Sequence, residues 1–342
     1  MKPKIFAKAR SVDICALINL LDIIGLPYVI KEDNSVESPV IQIGMNTFEI
    51  KFFNEFKCAM NLHHEKGAPR DKHGRVIGRF VINRILKVHR QLTDFLMKIK
   101  EKVPIPQFWP HGYNFAFVVT HDIDIITLNF INRISISLYE LLKNIKRAQT
   151  HNITLRAFIK SIKRNYSHYQ FLVYLDKALG IKSTFFLLPP GDSPFDYNND
   201  WHKEALFLEN VKNDFEIGLH APYNSSINAN IFSQCINYME KILKTKVYSV
   251  RHHFLRIFPP YTWMLHEKFG ILNDSSLAYH DTCGSRTGFY FPFFPSYKNS
   301  YLIKVLVVPT IFMDTTLIAY IKQWETERMF SYVIKELKKV YE

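Results

Sequence analysis

Two carboxylates one residue apart, Asp122 and Asp124, end the run FVVTHDIDI, directly after a series of β-formers. Along a strand, residues i and i+2 point to one side, so both carboxylates face one space. Like charges that close repel each other. They are tolerated where solvent screens them, where one carries a proton, or where a cation sits between them. Three further segments that read as strand ends carry polar groups: Gly218-Leu219-His220 followed by Asn224 and Ser225, then Arg251-His252-His253-Phe254, then Asn273-Asp274-Ser275-Ser276. A carboxylate and a histidine delivered by different strands to one mouth make a set of divalent-metal ligands. Taken alone, His220 reads as a hydrogen-bonded structural histidine rather than a ligand.

Elements in a definite order must position these groups. From Phe115 the chain alternates FAFVVT, a long helical stretch to about Leu179, STFFLL at 183–188, a helix around 201–212 and EIGLH at 216–220. A helix at 228–243, VYSVRHH at 247–253, a helix at 259–268, ILNDSS at 271–276 and KVLVVP at 304–309 follow. Such alternation predicts parallel strands with crossover helices, hence an α/β barrel or doubly wound sheet. The polar groups fall at strand C-terminal ends, where barrels place their chemistry. Residues 1 to about 100 read as a smaller α/β unit: an amphipathic N-terminal helix, short strands in PVIQIG and TFEIKFF, and a long helix from roughly Val81 to Lys102. Three prolines in VPIPQFWP, at 103–110, exclude regular structure and mark a domain boundary, giving domains of 1–110 and 111–342.

Composition narrows the function classes. An apolar fraction of 47% with 22% charged residues is that of a soluble globular protein and excludes disorder. Lys and Arg outnumber Asp and Glu by 44 to 31, a net +13 that favours an anionic partner. No nucleic-acid-binding motif accompanies the charge, so nucleic acid is not the expected partner. Cys15, Cys58, Cys235 and Cys283 lack CxxC spacing, which argues against a disulfide framework or structural zinc and fits a reducing compartment. Asp13 and Asp22 interrupt the apolar N-terminal stretch, and YLIKVLVVPTIFM is short, charged at Lys304 and broken by Pro309. The expected location is cytoplasmic.

The succession of motifs resembles the polysaccharide deacetylase family, carbohydrate esterases of family four, over about residues 113–318. THDID matches its first motif, EIGLHAPYNSS its second and VRHHFLRI its third; NDSSL and GFYFPFFP look like a bacterial surface-polysaccharide subgroup. The resemblance implies a distorted (β/α) barrel behind a small N-terminal α/β accessory domain. It also implies metal-dependent removal of acetyl groups, with zinc as the expected cation. The substrate would be an acetylated oligosaccharide, a polysaccharide or a lipid-linked glycan precursor. Carried over residue by residue, Asp122 is the general base, Asp124 and His220 are metal ligands, and Arg251 holds Asp122 ionised. The backbone N–H of Phe254 faces the developing oxyanion. The family's second metal histidine falls at Asn224, a neutral oxygen ligand of weaker field for zinc. Its late acid-supplying histidine has no counterpart after Leu317. Either His252, His253 or His280 substitutes, or the chain stops before a completed site, or the protein is a degenerate, glycan-binding or scaffold member.

Other features carry two readings each. Between Asn129 and His168, eight residues including Arg133, Lys143, Arg156 and Lys163 stand against the single acid Glu140. They make a basic helical insertion on an anionic membrane surface or a solvated helix face. FYFPFFPSY at 289–297 lines a glycan groove or fills a core. Cys283, near His280 and Asp281, is the one arrangement that suggests a cysteine hydrolase.

Overall fold

The computed structural model describes residues 3–104, 109, 113, 115–126, 168–298, 301–319 and 326–341. The basic stretch from Arg133 to Arg164 lies outside the described residues, as does most of the proline-rich boundary. Among the described residues no helix is long and apolar enough to cross a membrane.

The chain opens with a strand where the sequence suggested only a helix. Period-two alternation over Ile5–Ala9 buries Ile5, Ala7 and Ala9 and leaves Phe6 outward, so this segment pairs as β1. Helical structure begins at Ile14 and ends at Ile24, where Gly25 adopts φ +72° and donates its N–H to Leu21 O. β1, β2 (Tyr28–Glu32), β3 (Val40–Ile43) and β4 (Asn46–Glu49) form a sheet ordered β2-β1-β3-β4, with β1 and β2 parallel. The long helix predicted from Val81 starts instead at Leu86 and runs to Lys102. Val81 is drawn into a separate cluster with Ala68, Val76 and Tyr279, and the chain passes through two 3-10 turns before the helix can begin.

The strand–helix alternation builds a second sheet. Its strands are β5 (Thr120–Ile123), β6 (Thr184–Leu187), β7 (Glu216–Ala221), β8 (Ser249–His252), β9 (Asn273–Asp274) and β12 (Leu306–Val307). All neighbours are parallel, in the order β12-β9-β8-β7-β6-β5. A short hairpin of β10 (Ser296–Tyr297) and β11 (Tyr301–Leu302) precedes β12. Helices Ala205–Val211 and Ala229–Leu243 cover the sheet through Leu208, Phe232 and Met239, which share a core with Phe185, Leu219 and Val250. Central strands β6 and β8 are buried at every position, as expected where a parallel sheet is covered on both faces. β5 begins five residues later than the β-former run suggested. Phe117 and Val118 are about 60% exposed ahead of it, so THDI is itself the strand rather than its exit.

The sheet is strongly curved. Arg251 on β8 donates to Thr120 and Asp122 on β5, although β7 and β6 lie between the two strands. Three inter-strand steps span about 14 Å in a flat sheet, far beyond an arginine side chain, so the strands must bend toward one another. Arg251 Nη2 also donates to Thr310, just past β12 at the opposite edge, at 3.1 Å. Both edges therefore converge on one residue in a barrel-type arrangement, although β5 and β12 are not paired with each other among the described residues. Gly218 permits tight packing beneath this mouth: a Cβ there would lie 2.6 Å from the Phe186 ring and 2.9 Å from Ser249 O.

The N-terminal unit shares its core with the far end of the chain. Leu17, Phe53, Phe56 and Leu92 pack in one buried cluster with Trp263, Leu277, Phe289, Phe293 and Val307. Phe289 and Phe293 are fully buried, which makes FYFPFFPSY core structure at its inner positions. Each such ring contributes about 1.5–3 kcal/mol on leaving water.

Candidate metal centre

Strand alternation at β5 sets the site. Thr120 and Asp122 both meet Arg251 on the inner face, while Ile123 is buried in the outer core and His121 Nε2 pairs with Asp176 at 2.7 Å. Asp124 follows one residue past the strand, on the same side as Asp122. Arg251 is 4% exposed and fully engaged: Nη1 reaches Thr120 Oγ1 at 2.8 Å and Asp122 Oδ1 at 2.9 Å, and Nε reaches Ser275 O at 3.2 Å. Its guanidinium lies over the Phe186 ring.

His220 and Arg251 are register partners on β7 and β8. His220 Nδ1 lies 2.9 Å from Arg251 O. A carbonyl only accepts, so Nδ1 carries the proton and the Nε2 lone pair of the neutral ring points elsewhere. That lone pair faces Asp124: Nε2 lies 3.0 Å from Oδ1. His253 repeats the arrangement. Its Nδ1 lies 3.0 Å from Asp196 Oδ1, and its Nε2 lies 3.8 Å from the same Asp124 oxygen. Donor atoms of Asp124, His220 and His253 all fall within 4.8 Å of one another. Asp124 Oδ1 is shut from solvent and has no hydrogen bond of good geometry, although the side chain as a whole is 43% exposed.

This donor set fits a divalent cation. One carboxylate and two imidazoles, each imidazole with its remote nitrogen tied to a carbonyl or carboxylate, is the chemistry by which proteins hold zinc with an open position. The charges agree. Burial works against a proton on His220, but the Asp122 charge, the Asp124 carboxylate and the Arg251 carbonyl outweigh it and raise its pKa. Burial would raise Asp124, yet the adjoining His220 and the His253 charge hold it below the usual carboxylate range. Negative charge collected there favours any cation, and a metal must displace a proton to bind.

Asn224 is engaged elsewhere through its amide nitrogen. Its Nδ2 donates to Asp192 Oδ1 at 3.2 Å, toward the loop after β6, and the third donor atom beside Asp124 and His220 belongs to His253. Sequence reasoning weighed His253 only as a proton donor and missed Asp196 entirely. Alternation offered a signal for the first: residues 251 and 253 share a side, and 252 faces the other way.

The three substitute histidines separate cleanly. His252 is fully buried, its Nε2 is 2.9 Å from His266 Nε2, and burial with the His266 charge pulls its pKa well below the usual value. His253 belongs to the donor cluster. His280 lines a cleft of about 750 Å³ together with Asp122, Asp124, His220 and Arg251, and its Nε2 lies 3.5 Å from Asp71. Phe254 lines the same cleft and holds φ +61°, ψ 11°, followed by Leu255 at φ +54°. Two consecutive left-handed residues without glycine are strained, and such strain persists only where surrounding contacts over-determine it. Cys283 is buried, and burial, then the Glu336 charge, pushes its thiol up to about 11, away from the thiolate that a nucleophile needs.

No protein-family model matches the chain, and no curated protein matches it. Among solved structures it is similar to a proposed polysaccharide deacetylase from Mycobacterium smegmatis, at 14% identity over 68% of this chain and 74% of that one, with a TM-score of 0.40. It is also similar to Puue allantoinase, at 13% identity over 70% of this chain and 76% of that one, with a TM-score of 0.43.

Proposed function

We propose that the cleft is a metal-dependent deacetylase site that hydrolyses N- or O-acetyl groups from a glycan or glycan precursor. The observation that carries this reading is the convergence of two tautomer-fixed Nε2 atoms on the shielded oxygen of Asp124, beside an Asp122 that Arg251 holds at 2.9 Å. Asp124, His220 and His253 would hold the cation, with zinc the best match to the donor set. When bound, such a cation supplies positive charge that polarises a carbonyl and acidifies water.

The protein's own groups do the rest. Asp122 accepts the proton of the attacking water as a new C–O bond forms at the acetyl carbon. Arg251 keeps Asp122 aimed. The Phe254 N–H faces the oxyanion. His280 returns a proton to the leaving nitrogen or oxygen as its bond to the acetyl carbon breaks, giving acetate and the free amine or hydroxyl. Phe195 and Tyr197, each about 40% exposed at the cleft, offer ring faces to a sugar.

Zinc- or cobalt-loaded protein is expected to release acetate from acetylated chitooligosaccharides, and Asp122→Asn to lower that rate by roughly a hundredfold to ten-thousandfold. Release indifferent to Asp122→Asn defeats the mechanism. Calorimetric binding of the oligosaccharide without turnover at any metal concentration favours the glycan-binding scaffold instead.

A further inference from the structure

The N-terminal unit reaches into the cleft through one tight loop. Residues Arg70 and Val76 bridge in antiparallel fashion, and between them Asp71 ties the tip together. Asp71 Oδ1 accepts from the backbone N–H groups of His73 and Arg75, each at 2.9 Å, and Oδ2 accepts from Arg75 Nε at 2.8 Å. Gly74 turns the chain at φ +78°. Docking is close. Gly78 donates its N–H to Asp281 at 2.7 Å, and a Cβ at Gly78 would strike the Tyr279 ring at 2.5 Å.

The tip grips the strained turn. Arg75 Nη1 donates to Phe254 O at 3.2 Å, across 179 residues of sequence, and its guanidinium lies 5.5 Å from the Phe254 ring centroid. The His73 ring sits 4.6 Å from the same ring, and His73 O accepts from Arg256 Nε at 3.3 Å. Residues 253–255 are therefore held on two sides. Asp196 fixes the imidazole of His253 from within the barrel, and Arg75 fixes the carbonyl of Phe254 from the N-terminal unit.

We propose that Arg75 is a positioning residue for the cleft: by holding the Phe254 carbonyl it keeps the turn left-handed, which sets His253 against Asp124 and His220 and aims the Phe254 N–H at the reacting group. The inference rests on reading the cleft as a metal-dependent deacetylase site. It makes the N-terminal unit a structural part of the active centre.

The test compares Arg75→Ala, Arg75→Lys and a control, Arg79→Ala, in the full chain. Hydrogen exchange on metal-free protein should run roughly tenfold faster in Arg75→Ala over residues 251–258, with the peptides of β1 and β3 unchanged, a local opening of the kind that exchange resolves. Arg75→Lys should fall between, because a lysine cannot serve both Asp71 and Phe254 O with a fork. Should Arg75→Ala fail to fold, Arg75→Lys against wild type carries the comparison. Cobalt titration supplies the spectroscopic readout: Arg75→Ala should alter the visible bands and weaken affinity by about tenfold to a hundredfold, the usual effect of losing an outer support. Unchanged exchange over 251–258 overturns the inference. Faster exchange confined there, in a protein that binds no cobalt, upholds the grip on the turn and defeats the deacetylase reading instead.

Discussion

Two histidine–carboxylate groups meet at the end of β8, built from consecutive residues that face opposite ways. On the inner side His253 joins His220 and Asp124. On the outer side His252 joins His266 and Asp274, all three fully buried. The ingredients match and each group leaves one buried atom without a hydrogen bond of good geometry, His266 Nδ1 outside and Asp124 Oδ1 inside, but the carboxylates are engaged differently. Asp274 accepts from Trp263 Nε1 at 2.9 Å and Ser276 N at 2.6 Å, and lies 3.4 Å from His266 Nδ1. The two imidazoles stack at 5.1 Å and share a proton between their Nε2 atoms. In the inner group, two Nε2 atoms converge on one shielded carboxylate oxygen. The outer carboxylate is spent on Trp263 and Ser276, as a core group is, whereas the inner one turns its shielded oxygen to two imidazole nitrogens, as a ligand does.

The sharpest way to break this contrast is His220→Ala. It should abolish stoichiometric zinc in the purified protein while leaving the melting temperature near that of metal-free wild type. Zinc content unchanged by that substitution means the inner group is no site.

Asp274→Asn should do the reverse, costing about 3–5 kcal/mol of folding stability by removing the buried charge that faces His266 and one of the two oxygens that accept from Trp263 and Ser276, with metal affinity held. Its pH signature follows from two depressed pKa values. The unfolded chain protonates His252 near 6.5 and Asp274 near 3.8, while the folded protein resists both, His252 well below 6.5 and Asp274 down to about 2. The unfolded state therefore binds more protons, and stability falls as pH drops through these windows. Denaturant midpoints measured against pH should show the lower step lost in Asp274→Asn. A persistent lower step assigns it to other carboxylates.

Smallest of the three is Asn224→His. With His253 already beside Asp124, and Asn224 tied to Asp192, the new imidazole should change zinc affinity by less than roughly the tenfold that an outer support carries. A tightening of tenfold or more restores Asn224 to the ligand set.

What the sequence made legible follows from range. Asp122, Asp124 and His220 could be read because strand alternation and chain order act over a few residues. Arg251 could be read because its motif follows in the same order. Asp196 was hidden: it sits in an irregular loop after β6, and its pairing with His253 spans 57 residues with no local period to announce it. His253 was partly hidden by the spacing expected of the second motif, which drew attention to Asn224. β5 was placed early because Phe115–Val119 has β-forming composition, whereas pairing with β6 begins only at Thr120. Arg75 lay beyond any local rule, its partner being 179 residues away.

The core that joins Phe56 to Phe289 has a consequence for how the molecule comes into being. A chain made from its N-terminus emits the strands and helices of residues 5–102 first, yet the rings that cover their inner face arrive only with residues 289–307. Closing a loop of over two hundred residues is a slow, late event. Circular permutation that shortens the sequence distance between those two phenylalanines would bring the two halves of the core out together, and faster refolding is the expected outcome.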